Sequence, residues 1–274
     1  MKIPYLFLAI AFISLAACGG GKGSADAGNT FKTTALPVLH GMWVRTDYIQ
    51  DLTRTQSPLH SANFLQGIDA MYIDTSKISG DSLEINASYN NHEGIPFHIL
   101  FREGREPHSL PIDLSSLGDE VVTYEIVVPA TPGGQLTMVT YDYQNHPKQR
   151  IAYTRIGDLP VSDNFYSAAS QAAQQLLTEG TYRLLPQGTF VRMSADGSIS
   201  GLADYDGYNV STDFVIPVAN DLDNITFFRG QQRDTSLIFS VTGDTLFLYE
   251  TGLSDNEVNL IQGPVKYTLV RTRE

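Results

Sequence analysis

Apolar and polar residues alternate with a period of two along most of the chain, in short runs set off by turn residues. This is the pattern of half-buried β-strands. In the second half it predicts strands over 180–185, 189–193, 198–204, 208–217, 224–228, 236–241, 244–250 and 264–271, with Pro186-Gln187-Gly188 and Ala195-Asp196-Gly197 as turns. Eight short strands within about 95 residues have the turn spacing of a small barrel or sandwich. The first half predicts strands over 41–48, 67–74, 82–89, 96–101, 121–128, 135–143 and 150–156, with long connections over 50–63 and 103–119. One segment departs from the alternation. Residues 162–178 are rich in Ala, Gln and Leu, follow Pro160, offer Ser162 or Asp163 as N-cap, and place Phe165, Ala169, Ala172 and Leu176 on one stripe. A single helix between two β-halves is expected there.

The N-terminus has a different pattern. Lys2 precedes an apolar run to Ala17, interrupted only by Pro4 and Ser14. The run is shorter than the ~20 residues a spanning helix needs and fits the apolar region of a secretory signal. It ends in Leu15-Ala16-Ala17-Cys18, which resembles the lipobox of bacterial lipoproteins. The resemblance implies cleavage before Cys18, diacylglycerol on its thiol and an acyl chain such as palmitate on the new amine. Two or more chains hold stably, at ~0.8 kcal/mol per buried CH₂. Cys18 is the only cysteine, so it has no disulfide partner. Gly19 in place of Asp resembles the outer-membrane sorting signal. Whether the protein faces the periplasm or the exterior stays open. Residues 19 to about 33 lack the apolar content to order themselves and read as a flexible tether. The expected organisation is signal peptide 1–17, lipidated Cys18 and tether 18–36, β-domain 37–158, connecting helix 159–178 and second β-domain 179–274.

The chain carries 18 Lys+Arg and 30 Asp+Glu, a formal net charge of −12, and losing residues 1–17 removes only Lys2. An acidic body disfavours nucleic acid and anionic lipid surfaces as partners. The 14 Tyr, 13 Phe, 23 Gly and 13 Pro suit strands and turns.

The two halves share opening and closing motifs. Gly41-Met42-Trp43 and Gly180-Thr181-Tyr182 open them, and 150–156 and 265–271 close them with Arg155 and Arg271. This suggests an internal duplication. The motifs resemble the lipocalin-like (calycin) families, most nearly the lipocalin-like domains of Bacteroidota lipoproteins. The resemblance implies eight-stranded antiparallel barrels, closed or half-open, in an all-β protein whose halves are joined by one helix. It further implies that an Arg of the last strand lies over the aromatic ring of the first, as a structural closure. Gly41, Trp43 and Arg155 would serve the first barrel, and Gly180, Tyr182 and Arg271 the second. Tyr in place of Trp departs from the pattern, and Arg150 and Arg273 are neighbouring alternatives.

Candidate chemistry is sparse. All six His lie between residues 40 and 146. His92, Glu93 and His98 could suggest a metal site, but Gly94 and Pro96 intervene, so no metal or other cofactor is expected. The acidic pairs Asp204/Asp206, Asp221/Asp223 and Asp255/Glu257 read as turn formers. No nucleophile elbow, P-loop or zinc-helix motif occurs, and no catalytic residue is assigned. Tyr205, Tyr208, Phe214, Phe227 and Phe228 either fill a barrel or line a ligand cavity. The expected function is therefore a non-catalytic, membrane-anchored lipoprotein holding a small apolar ligand in a lipocalin-like barrel. The alternative is a structural or interaction lipoprotein of an envelope complex, glycan- or adhesion-related, with filled barrels and a protein partner. A hydrolase with an unrecognised site is the third possibility.

Overall fold

Along 82–89, Leu83, Ile85 and Ala87 point one way and Glu84 and Asn86 the other. In a computed structural model this alternation becomes a barrel wall, with the three apolar side chains buried and the two polar ones exposed. The structure describes residues 23–114, 122–158, 167–214, 222–230, 232–254 and 260–272.

The first half contains β1 (Gly41–Arg45), β2 (Ile68–Ile73), β3 (Ile78–Ser79), β4 (Ser82–Tyr89), β5 (Glu93–Leu100), β6 (Ser109–Ile112), β7 (Thr123–Val127), β8 (Leu136–Tyr141) and β9 (Pro147–Gly157). All pairings are antiparallel. β1 bonds to both β2 and β9, and β2 also pairs with β4, so the ring closes and the two-residue β3 is a spur on β4. The second half contains β10 (Gly180–Leu185), β11 (Phe190–Met193), β12 (Ile199–Ser200), β13 (Gly207–Val210), β14 (Asn224–Arg229), β15 (Gln232–Thr242), β16 (Thr245–Leu253) and β17 (Leu260–Arg271). Its 8-stranded sheet is nearly closed. The edges meet through one bridge, Ser198 to Gly207, flanked by Tyr208 N–H donating to Gly197 O at 2.7 Å. The protein is thus mostly β, in two barrel-shaped halves with few helices.

The helices differ most from expectation. α1 (Gly23–Leu39) occupies most of the expected tether. Its first turns hold no large apolar residue, but Ala35 and Leu39 enter the first barrel's core, and Phe31, Leu36 and Val38 pack against it. Tertiary burial supplies what the local sequence lacks. Residues 18–22 lie outside the described residues. β1 ends at Arg45, not Tyr48, and α2 (Thr46–Thr55) and α3 (Pro58–Ser61) fill the connection read as a loop. Tyr48 and Leu52, one turn apart, form the buried stripe that makes α2 helical.

α4 (Ala168–Ala173) continues as a π-helical turn, Gln174–Thr178, into β10. Residues 159–166, with both expected caps and Phe165, lie outside the described residues; Ser167 Oγ accepts from Ser170 N–H and caps the helix. Ala169 and Ala172 are buried as expected, but Leu177 is buried in place of Leu176. The wide turn, marked by Glu179 N–H donating to Gln174 O, moves the stripe by one residue.

The first barrel encloses Trp43, Ile85, Phe97, Phe101, Ile126, Met138 and Tyr153 in one core. The second core holds Tyr182, Val191, Tyr208, Phe227 and Leu248. It runs on through four alanines of α4 to Val44, Tyr48, Leu52 and Ala70 of the first half. The alanines let the α4 backbone approach both sheets closely. β1 is consequently buried on both faces, with Trp43 in the first core and Val44 in the second. Each Leu- or Phe-sized side chain so buried contributes roughly 1.5–3 kcal/mol, so the two halves are packed together rather than strung on a linker.

Candidate functional site

The six motif residues lie on the first and last strands of each half, Trp43 opposite Arg155 and Tyr182 opposite Arg271. Tyr182 and Arg271 sit opposite each other in the ladder, and the Arg271 guanidinium lies 5.2 Å from the Tyr182 ring centroid while donating to its hydroxyl at 2.9 Å. Gly180 has φ +152°, and a Cβ there would stand 3.2 Å from Arg271 Nη1. Trp43 and Arg155 are opposed in the same way. Arg155, however, has other partners: its Nε donates to His40 O at 2.8 Å and its terminal nitrogen pairs with the Asp158 carboxylate. Its guanidinium covers Gly41, where φ is +127° and a Cβ would lie 2.5 Å from Arg155 Nε and 2.6 Å from Gly157 O. In both halves the aromatic side chain donates to a carbonyl four residues earlier, Trp43 to Leu39 at 2.8 Å and Tyr182 to Thr178 at 2.8 Å. Arg150 pairs with Glu106 instead, and Arg273 lies outside the described residues.

The other sequence candidates separate. His92 lies 3.7 Å from Glu93, whereas His98 pairs with Asp113 at 2.9 Å further along the same strand. Among the described residues, no three His, Cys, Asp or Glu side chains are grouped to hold a metal. Asp206 accepts from Gly230 N–H as a turn residue. Asp223 accepts from Leu59 N–H at 2.9 Å and so links the halves. Asp221 and the Asp255/Glu257 pair lie outside the described residues. Tyr205 stacks on Phe227 at 5.1 Å, and Tyr208 approaches the same ring at 6.5 Å, so these aromatics fill the second barrel. In the expected long loop, 103–119, β6 forms, and Arg105 pairs with the buried Glu125 at 2.6 Å. Residues 115–121 lie outside the described residues.

A cavity of about 640 Å³ lies between the barrels, within the range of small-ligand sites. Its floor is the outer wall of the first barrel, where Tyr72 and Asn86 are paired across β2 and β4. Its other wall is the start of α4 and the segment following β13. Asn91 Nδ2 donates to Thr212 Oγ1 at 3.2 Å across the gap. An adjoining cavity of about 420 Å³ shares Asn91, His92, Thr212 and Asp213.

Asn91 is held in place by its surroundings. It sits in the β4–β5 turn at φ +63°, after Asn90 at φ +50°, a left-handed conformation that Asn tolerates better than most residues. Asn90 Oδ1 accepts from Gly67 N–H at 2.8 Å. Asp69, fully buried, accepts from Asn91 N–H at 2.9 Å and from Ser88 Oγ at 3.0 Å through one oxygen. Burial pushes the Asp69 carboxyl up to about 6, against the opposing effect of those hydrogen bonds. Burial likewise pushes the Tyr72 phenol up to about 12, so it stays neutral; its oxygen accepts from Ala168 N–H at 2.7 Å. Ser170 Oγ donates to Val210 O at 2.6 Å and lies 3.2 Å from Thr212 Oγ1.

Three buried oxygens in this region have no hydrogen-bond partner: Asn91 Oδ1, Asn209 Oδ1 and Asp69 Oδ2. Both Asn residues are among those lining the cavity, but the three oxygens themselves are closed to solvent. Such atoms are rare in folded proteins because each forfeits its hydration. Sequence reasoning missed all of these residues. Asn90-Asn91 reads as an ordinary turn signal, and nothing local says that another barrel will be packed beside it.

Comparison with known proteins adds no relative: no protein-family model, no curated protein and no solved structure matches the chain.

Proposed function

We propose that this protein is a non-catalytic binding lipoprotein of the cell envelope, anchored at the outer membrane through lipid on Cys18, with its ligand site in the cleft between the barrels. The observation that carries the site is Asn91. The residue is 7% exposed, lies among those lining a cavity of about 640 Å³, and bonds through Nδ2 to Thr212 on the opposite wall. The lipocalin-like reading would put an apolar ligand inside a barrel. Trp43, Phe97, Phe101 and Tyr153 already occupy the first interior, and Tyr182, Tyr208 and Phe227 the second. A ligand there would have to displace well-packed side chains, whereas the cleft needs no rearrangement. The anchor rests on the lipobox-like residues ending at Cys18. No described helix is long and apolar enough to cross a membrane.

Native mass spectrometry of the full chain, gently extracted in detergent, tests for a retained small molecule, and hydrogen exchange locates it. Protection of the amides of 86–94 and 209–213 supports the reading. Protection confined to β7, β8 and β9, or none with any ligand, contradicts it.

The interaction-protein reading also has an observation in its favour. Phe190 is 59% exposed and Val265 50%, on strands that flank β10 on either side. An envelope protein covering this face would be captured by crosslinking from Phe190→Cys in intact cells.

A further inference from the structure

The two closures differ in how their arginines are balanced. Arg155 and Arg271 hold equivalent places, each opposite the aromatic residue that opens its half. Arg155 is paired with the Asp158 carboxylate. Arg271 has no carboxylate partner among the described residues. Its Nη2 donates to the Tyr182 hydroxyl at 2.9 Å and reaches Leu177 O at 3.4 Å, while Nε and Nη1 find no acceptor there. Beside it lies a cavity of about 320 Å³, lined by Arg271 with Arg192, Glu179, Thr181, Ser194 and Thr272. We infer that this cavity, at the end of the second barrel and apart from the cleft, binds a phosphoryl group, carried by a free phosphate or by a lipid headgroup.

Charge gives the sign of the ligand. The charged residues lining the cavity are Arg192, Arg271 and Glu179, one net positive charge, and no His, Lys or Asp is among the described lining residues. Glu179 is exposed and forms no ion pair with either arginine. Arg192 stands on β11 opposite Thr181 and also has no ion pair among the described residues. Two guanidiniums on one cavity repel each other until an anion joins them. The strands that frame the cavity, β10, β11 and β17, carry Arg183, Arg192, Lys266 and Arg271 and no Asp or Glu. The chain as a whole has a net charge of −12, so the local field favours an anion where the average repels one.

Geometry narrows the anion. Guanidinium forks match phosphate oxygens in pairs. The Thr181 and Ser194 hydroxyls line the same cavity and have no side-chain partner among the described residues, so they are free to donate. Thr272 Oγ1 is spent on Thr181 O at 3.0 Å. Donors on several sides suit a tetrahedral anion better than a carboxylate, which offers two oxygens in one plane. The space is kept open by Gly180, which also lines the cavity: a Cβ there would stand 3.2 Å from Arg271 Nη1. Arg271 is held in place by its bond to Tyr182, so little side-chain freedom is lost when the anion arrives.

The test is calorimetric titration of the full chain in non-ionic detergent with inorganic phosphate, glycerol 3-phosphate and dihexanoyl phosphatidic acid, beside acetate and dihexanoyl phosphatidylcholine. At least one of the three phosphates should bind with a dissociation constant of about 1 mM or below, and more weakly as salt is raised. Arg192→Gln should weaken it about fivefold or more, and Glu179→Gln should tighten it about twofold or more. Opposite effects at two exposed positions are not what a structural role would produce, and circular dichroism of both variants checks the fold. Phosphatidic acid bound more tightly than glycerol 3-phosphate identifies a lipid headgroup, and the reverse a free phosphate. No phosphate bound, acetate bound as tightly as any phosphate, or affinity that both substitutions leave unchanged would overturn the assignment. Gly94→Trp, which changes only the cleft between the barrels, should leave phosphate affinity unaltered; a loss there would also overturn it.

Discussion

Replacing Asp69 by Asn should change how stability depends on pH more than it changes stability at any one pH. Asp69 is fully buried, and its carboxyl is pushed from 3.8 to about 6. Below pH ~4 the group is protonated in the folded and unfolded chains alike. As pH rises from about 4 through 6, the unfolded chain releases its proton first, while the folded chain must keep the proton or bury a charge. Stability is therefore lost with rising pH across this window. The shift is about two pH units at 1.36 kcal/mol each, so Asp69 costs the fold roughly 3 kcal/mol at neutral pH relative to pH 4. Asn at this position keeps an oxygen for Ser88 and Asn91, places its NH₂ where Oδ2 has no partner, and does not titrate. Asp223, also pushed up by burial, is present in both proteins and cancels in the difference. Trp43 is the only tryptophan and is buried in the first barrel, so its fluorescence reports on the half that contains Asp69. Guanidinium unfolding followed at Trp43 from pH 4 to pH 8 should show the variant gaining on wild type by roughly 2–4 kcal/mol as pH rises. Parallel curves across that range would refute the reasoning.

Three further outcomes follow from the geometry. Gly41→Ala places a Cβ 2.5 Å from Arg155 Nε at φ +127°, whereas Gly67, at φ +74°, has open space around it. The first change should cost more than about 2 kcal/mol and Gly67→Ala about 1, so equal losses in denaturant unfolding would argue against the closure. Arg271→Leu removes both the ring contact and the hydrogen bond to Tyr182. It should cost about 1–3 kcal/mol, read from near-ultraviolet dichroism of the tyrosines, and an unchanged melting temperature would count against it. Cys18→Ser should abolish incorporation of labelled palmitate and shift the chain from the membrane to the soluble fraction. Retained label would move the attachment elsewhere.

The strands were legible where one face is wet. The ranges 82–89 and 180–185 match β4 and β10 residue for residue because the alternation is strict and the turns are marked. β6 was missed because four residues containing Pro111 are too few to show a period. α2 was missed because its stripe is short, Tyr48 and Leu52 with Ile49 beside them, in otherwise polar sequence. α1 needed the barrel core to exist first. The closures were readable as paired motifs, but not the route of Arg155 to His40 O. The cleft was illegible for a different reason. Asn91 and Thr212 are 121 residues apart, and whether they meet depends on how two barrels pack about α4. No local pattern encodes that packing.

The most direct test of the central claim is to fill the cleft without disturbing its walls. Gly94 lines the cavity on β5, and a Cβ there meets nothing within 4 Å. Gly94→Trp should therefore leave the barrels, Asp69 and Asn91 in place and occupy the space that a ligand would take. Titrated with whatever small molecule the wild-type chain retains or binds, the variant should lose affinity by more than tenfold while its melting temperature is unchanged. Binding at wild-type affinity in the filled variant would contradict the assignment of the site to the space between the barrels.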